Sequence, residues 1–419
     1  MLKNRIKNRV LPVLICVCMG FSVANSYAWG KNPKIGRIGK IASVIKKYPV
    51  FLAAAGIASL GLFAGAALFG GLFKSSGSTG VKGSGSEVVK LPIVGGSEYN
   101  ISLYGLERLH SFDSRKYGNV ENYLKNQFGI HKNNLVKPRM VTNEELLSVH
   151  TQRYLNSLKN SATIAGIVGI SCLRFVPNWF LQRYLLRPMK LATGGTVQAA
   201  QLALRYGWAI NLGGGYHHAK GDSGGGFCVY ADICIAVEKL WKKDPSLRIM
   251  VVDLDAHQGN GHEAIFASDS RVSIFDMYNA DMYPWDEVAK EHIRFDVPLR
   301  SNIGGDDYID RLKKEINSAL DTLEEKDEEP NLIIYNAGTD PLSGDHIGRM
   351  NVSAEKMIER DEIVFKHAQE RRIPIVYLFS GGYTKESANV IGRSLENILE
   401  NYVDLAKNQN LEAVPRLFQ

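Results

Sequence analysis

The sequence predicts an α/β protein built on an open, mostly parallel sheet with helices on both faces, plus an N-terminal membrane segment. Three observations carry that reading. Short apolar runs rich in branched residues recur along the chain, helix-like stretches separate them, and several runs stop abruptly in polar, chemically active residues. The last feature matters most, because open parallel sheets hold their ligands at the carboxyl ends of the strands.

The first ninety residues differ in kind from the rest. Residues 1–90 carry 13 Lys/Arg against one acidic residue, so the overall charge of +7 hides a remainder at −5. A mildly acidic globular part argues against a built-in nucleic-acid surface. Lys3, Arg5, Lys7 and Arg9 precede an apolar run at Val10–Val23 and then Ser26-Tyr27-Ala28, so residues 1–28 have the layout of a signal peptide or a first membrane segment. A basic segment, 29–47, leads to a charge-free run at 48–73, long enough to span a bilayer with some tilt and read as a transmembrane helix. Gly61 and Gly65 offer a weak helix-packing motif within it. The chain is therefore expected to be membrane-associated. The basic segment puts the catalytic part on the non-cytoplasmic side, whereas a cleaved signal reverses that, so the side stays open.

Residues 74–90, rich in Gly and Ser, read as a flexible linker, with a catalytic domain over 91–405 and a tail at 406–419. Only Cys172, Cys228 and Cys234 fall in the domain, and this odd, unpatterned set argues against a disulfide framework. Short apolar runs and polar helical segments alternate from Ile93 to Leu155, where His110 and His150 read as surface or packing residues. A helix-like stretch at 196–206 precedes a buried-strand candidate at Trp208, which runs into Gly213-Gly-Gly-Tyr-His217-His218. Glycines permit a sharp turn there, and two imidazoles follow at a strand end. A helical run from Val229 to Trp241 comes next.

The stretch at 249–262 organises the remainder. Ile249 to Val252 read as a buried strand, and beyond it Asp253, Asp255 and His257 can project toward one side with the period of an extended chain. Such a pattern alone fits an ordinary strand end as well as a metal site, but other strand ends repeat it. A strand at Arg271–Tyr278 contains Asp276, the segment 306–329 reads as a solvated helix and loop, the run from Asn331 discharges into Asp340, and the run from Pro374 ends in Gly381-Gly382-Tyr383.

Assembled in order, these motifs resemble the zinc-dependent histone deacetylases, most closely the class IV type, in the arginase/deacetylase fold. The likeness covers roughly residues 97–400. It runs through Gly-Gly-Gly-Tyr-His-His-Ala, Gly-Gly-Gly-Phe-Cys-Val-Tyr-Ala-Asp, Asp-Leu-Asp-Ala-His-Gln-Gly-Asn-Gly-His-Glu, Tyr-Asn-Ala-Gly-Thr-Asp and Ser-Gly-Gly-Tyr. The resemblance implies zinc on Asp255, His257 and Asp340, a set suited to a catalytic site. It pairs His217 with Asp253 and His218 with Asn260, where many deacetylases outside this type carry Asp. A carboxylate raises the pKa of its imidazole partner and a neutral amide does not, so His218 is the expected general base and His217 an electrostatic helper. Tyr383 is the implied oxyanion donor, and Gly226 and Phe227 meet the substrate. A structural monovalent cation near Asp253, Asp255, His257 and Asp276 is a further implication.

The expected function is removal of acetyl or longer acyl groups from lysine side chains of histones or other proteins, with fatty-acyl lysine favoured by the class IV likeness. The rivals are an amidohydrolase of small acylated amines such as acetylpolyamines, and an inactive binding scaffold. Oligomeric state is not legible.

Overall fold

The structure is a computed structural model that describes residues 90–103, 107 and 112–403. The expectations for residues 1–28, 29–47, 48–73 and 406–419, most of 74–90, and His110 lie outside the described residues. Among the described residues no helix is long and apolar enough to cross a membrane.

Seven strands form one sheet: β1 (Ile93–Val94), β2 (Trp208–Asn211), β3 (Ile249–Asp253), β4 (Val272–Asn279), β5 (Phe295–Leu299), β6 (Leu332–Asn336) and β7 (Ile375–Leu378). Their spatial order is β1-β2-β7-β6-β3-β4-β5, and every pairing is parallel. β2, β3, β4, β6 and β7 are buried along their whole length, as a parallel sheet covered on both faces requires. Alternation divides them. Met250, Val252, Ile333, Tyr335, Ile375 and Tyr377 join one large core with Leu312, Ile316, Val364 and Leu395, while the buried Val251, Ile334 and Val376 face the opposite layer.

The principal helices are α1 (Lys116–Phe128), α2 (Arg187–Tyr206), α3 (Asp232–Trp241), α4 (Asn260–Phe266), α5 (Gly305–Glu325), α6 (Ala354–Glu370) and α7 (Ser387–Asn401). α2 packs on β2 and β7, and α5 on β4 and β5. α2 begins well before the expected 196 and runs through Gly194 and Gly195. A Cβ on Gly194 would sit 2.1 Å from the Arg139 carbonyl oxygen, and one on Gly195 2.0 Å from the Tyr99 hydroxyl, so these glycines allow close packing inside a continuous helix. α3 likewise starts at Asp232 rather than Val229, and α5 covers the expected 306–329 segment only to Glu325.

Register aligns the active ends. Asp253 on β3 is level with Asp276 on β4 and Asn336 on β6, and Asn336 with Leu378 on β7. The loops leaving β2, β3, β6 and β7 therefore converge at one edge of the sheet.

Candidate active site

Asp255, His257 and Asp340 meet at that edge, all buried, with one potential ligand atom from each within 4.8 Å of the others. His257 Nδ1 lies 3.1 Å from Asp255 Oδ1 and 2.9 Å from Asp340 Oδ2. The local electrostatics call for a cation. Burial and the neighbouring Asp255 carboxylate push Asp340 up to about 7, and His257, though burial opposes its charge, is held up to about 10 by Asp255 and Asp340. Backbone shape leaves the carboxylates room: a Cβ on Gly381 would lie 2.5 Å from Asp255 Oδ2 and 2.7 Å from Asp340 Oδ2. Two hard oxygens and one imidazole nitrogen in a closed setting form a donor set that fits a divalent ion such as zinc.

Two histidines flank this centre with opposite electrostatics. His217 Nδ1 is 2.9 Å from Asp253 Oδ2, which also accepts from His262 Nε2 at 2.9 Å. Burial pulls the His217 pKa down, but the Asp253 and Asp255 charges outweigh it and raise it to about 9. His218 Nδ1 is 2.9 Å from Asn260 Oδ1. Burial first, then the neighbouring His217 and His257, hold His218 well below the ordinary histidine range. The rings of His217 and His218 are 4.1 Å apart. The loop bearing them is fixed by Asp232, which accepts from the backbone N–H groups of Gly215 and Tyr216 at 2.9 and 2.8 Å.

Tyr383 completes the group. Its ring sits edge-on to Phe227 and Phe112, at 5.9 and 6.0 Å between centroids. Burial and the charges of Asp340 and Asp255 keep its phenol protonated. Phe227 adopts φ 69, a left-handed conformation uncommon for a bulky residue, beside Gly226 on the same pocket wall. The pocket, open to solvent, is lined by His217, His218, Asp255, Gly226, Phe227 and Tyr383. Ile101, Leu103, Val168, Ile170, Leu185 and Met189 also line it.

The structure thus brings together His217, His218, Asp253, Asp255, His257, Asn260, Asp340, Tyr383, Gly226 and Phe227. Asp276 is also buried nearby, accepting from the Gly259 N–H at 2.7 Å. His150 is a packing residue, its Nε2 accepting from the Ala231 N–H at 3.0 Å. Four residues escaped the sequence reading. Tyr283 faces His218 at 5.0 Å between centroids, and Asp286 accepts from Asn260. Lys116, fully buried, donates from Nζ to the Ser380 and Gly381 carbonyls at 2.5 and 2.8 Å, and Asp345 Oδ2 accepts from the Tyr383 N–H at 2.7 Å. A basic residue next to aromatics after Phe112-Asp113 was the one available cue for Lys116.

A parallel α/β sheet with a buried, metal-capable His/Asp centre and two histidines of opposed basicity is the architecture of a metal-supported hydrolase. The chain belongs to the histone deacetylase domain family, whose model matches residues 110–400. It is 43% identical over 309 residues to histone deacetylase 2 of Arabidopsis thaliana, spanning 74% of this chain and 79% of that one. Among solved structures it is similar to a histone deacetylase homologue from Aquifex aeolicus, with TM-score 0.58 and 25% identity over 74% of this chain and 83% of that one. A homologue solved in complex with SAHA matches with TM-score 0.56, 25% identity and the same coverage. The chain is accordingly an amide hydrolase of the deacetylase type.

Proposed function

We propose that this protein is a zinc-dependent lysine deacylase of the class IV type, acting on acyl-lysine of proteins and accommodating acyl chains longer than acetyl. The observation that carries the reading is the single pocket that joins the His/Asp centre and Tyr383 to an apolar wall of Ile101, Leu103, Val168, Ile170, Leu185 and Met189. Asp255, His257 and Asp340 are the residues that would hold the metal. Zinc bound there would supply Lewis acidity toward the amide carbonyl and the attacking water.

The remaining chemistry belongs to side chains. His218, kept neutral, takes a proton from water and later delivers it to the leaving lysine amine. His217, biased toward imidazolium by Asp253, stabilises negative charge developing beside it. Tyr383 donates a hydrogen bond to the carbonyl oxygen as it becomes an oxyanion. Gly226 and Phe227, which line the pocket, flank the lysine side chain, with Tyr283 packed on His218 behind them. A structural monovalent cation near Asp253, Asp255, His257 and Asp276 belongs to the same proposal, and the burial of Asp276 level with Asp253 supports it.

The charge-free run at 48–73 and the basic residues before it support association with a membrane, on a side left open, with 91–405 as the catalytic unit. The deciding experiment compares turnover by the full chain of one peptide bearing acyl-lysine with turnover of acetylpolyamines, each with and without a chelator. Acyl-lysine hydrolysis that the chelator abolishes is expected. Preferential polyamine turnover would move the substrate assignment to small amines, and metal-independent turnover would end the zinc mechanism.

A further inference from the structure

Behind Asn260 stands a group that no motif announces. Asp286 Oδ2 accepts from Asn260 Nδ2 at 3.0 Å and from Lys220 Nζ at 2.5 Å, while its Oδ1 accepts from the Ala289 N–H at 3.2 Å. Its own backbone is clasped by Gln258, which gives its side-chain N–H to the Asp286 carbonyl and takes the Asp286 N–H on its oxygen. Burial opposes the charge on Asp286, but the Lys220 and Asn260 donors outweigh it and hold the carboxyl at about 2.

An ionised carboxylate accepts hydrogen bonds and donates none. Asn260 must therefore turn its NH2 toward Asp286, which leaves its carbonyl oxygen as the atom 2.9 Å from His218 Nδ1. A carbonyl oxygen also only accepts. His218 Nδ1 must then carry hydrogen, and in a neutral ring the lone pair falls on Nε2. His218 lines the pocket, so that lone pair is available to a substrate or a water.

We propose that Asp286 is a positioning residue that selects the basic tautomer of His218 through the Asn260 amide, supplying one bond further out the carboxylate that His218 lacks as a direct partner. The inference rests on His218 acting as the general base. Asp286 follows Tyr283, which packs on His218, so one loop supplies both a packing partner for the base and its polarity.

The test uses the full chain carrying Asp286→Asn, Asn260→Asp and both changes together. Asp286→Asn offers Asn260 either a donor or an acceptor, and kcat is expected to fall by roughly ten- to a hundredfold with KM little altered, as for loss of an outer orienting partner. Asn260→Asp sets two carboxylates against each other. The double variant restores an amide donor facing a carboxylate and should exceed both single variants in kcat. If Asp286 merely anchored its loop through Lys220 and Ala289, Asp286→Asn would cost activity in both backgrounds, and that result overturns the proposal. Nitrogen NMR of labelled histidine gives a readout independent of turnover: His218 should show Nδ1–H in the parent and a mixture of tautomers in Asp286→Asn. An unchanged pattern in that variant also overturns it. A parent that hydrolyses no acyl-lysine would instead remove the reading of the reaction, while the tautomer comparison still decides the role of Asp286.

Discussion

Arg360 Nη1 donates to the Gly338 carbonyl oxygen at 2.5 Å, and the same nitrogen reaches the Leu254 carbonyl at 3.2 Å. Leu254 lies between Asp253 and Asp255, and Gly338 just before Asp340, so one buried guanidinium ties together the two loops that carry Asp255 and Asp340. Its charge is offset by Asp361, which accepts from Arg360 Nε at 2.8 Å, Tyr377 at 2.8 Å, Ser394 at 2.5 Å and Tyr335. Removing the cation leaves a buried anion uncompensated. Arg360→Met should therefore lower stability by about 3–5 kcal/mol in urea unfolding. Arg360→Lys should recover only part of that, because an ammonium cannot reproduce the planar fork. An unchanged unfolding midpoint for Arg360→Met would contradict the bracing role.

In the proposed mechanism Tyr383 makes a hydrogen bond that matters only during reaction. Its backbone N–H is secured by Asp345, and its ring by Phe112 and Phe227, so loss of the hydroxyl alone should leave the fold and metal content unaltered. Tyr383→Phe is expected to lower kcat by about a hundredfold or more while KM changes little. Steady-state kinetics beside metal analysis check this, and unimpaired turnover would rule out the oxyanion role.

These two residues also mark how far the sequence could be read. Tyr383, Asp340, Asp255 and the paired histidines were legible because each follows an apolar strand directly, and parallel strands bring such ends to one edge. The strands at Trp208, Ile249, Arg271, Asn331 and Pro374 were legible for the same reason. Arg360 was not, since it lies inside α6 and finds Leu254 across 106 residues of sequence. Lys116 meets Ser380 across 264, and Asp286 meets Lys220 across 66. A charged residue on a helix or loop reads as solvated until the fold supplies its partner. The start of α2 was hidden differently, by glycines that normally signal a break but here admit Arg139 and Tyr99.

His150 gives a pH dependence away from the acidic cluster. Burial pushes it down to about 4, and Nε2 already accepts from Ala231, so the folded protein disfavours its protonation. The folded state therefore binds the proton less readily than the unfolded chain, whose histidine titrates near the usual 6.5. The contribution is complete above about pH 6.5 and declines as pH falls toward 4, by at most about 3 kcal/mol. Unfolding midpoints measured across that range should fall more steeply for the parent than for His150→Gln. Parallel curves would show that His150 does not titrate as described.

The donor set of the centre predicts about one zinc per chain, an expectation of the order set by three protein ligands to one ion. Asp255→Ala and His257→Ala should each bind much less metal in equilibrium dialysis. Asp253→Asn is different, because Asp253 groups with His217 and His262, a second cluster of potential ligand atoms separate from Asp255, His257 and Asp340, and it should retain the metal of the latter centre while losing turnover. Equal metal loss in all three would mean that the centre includes Asp253.

The apolar wall makes the strongest demand on the proposed substrate. Ile101, Leu103, Val168, Ile170, Leu185 and Met189 share the pocket with His218 and Tyr383, and an acyl chain longer than acetyl has more apolar surface to bury against them. Each methylene buried there contributes about 0.8 kcal/mol, so an octanoyl chain has far more binding energy at its disposal than acetyl. Only the part realised in the transition state raises turnover; the remainder lowers KM. Val168→Phe adds bulk to the apolar lining without altering any of the polar residues of the site. It should reduce kcat/KM for octanoyl and longer lysines strongly while leaving acetyl within a few-fold, so that the preference for long chains falls or reverses. Measuring acetyl, octanoyl and myristoyl forms of one peptide with parent and variant checks both claims. A parent that prefers acetyl, together with a variant that treats all three alike, would mean that this wall packs the fold and does not hold the acyl chain.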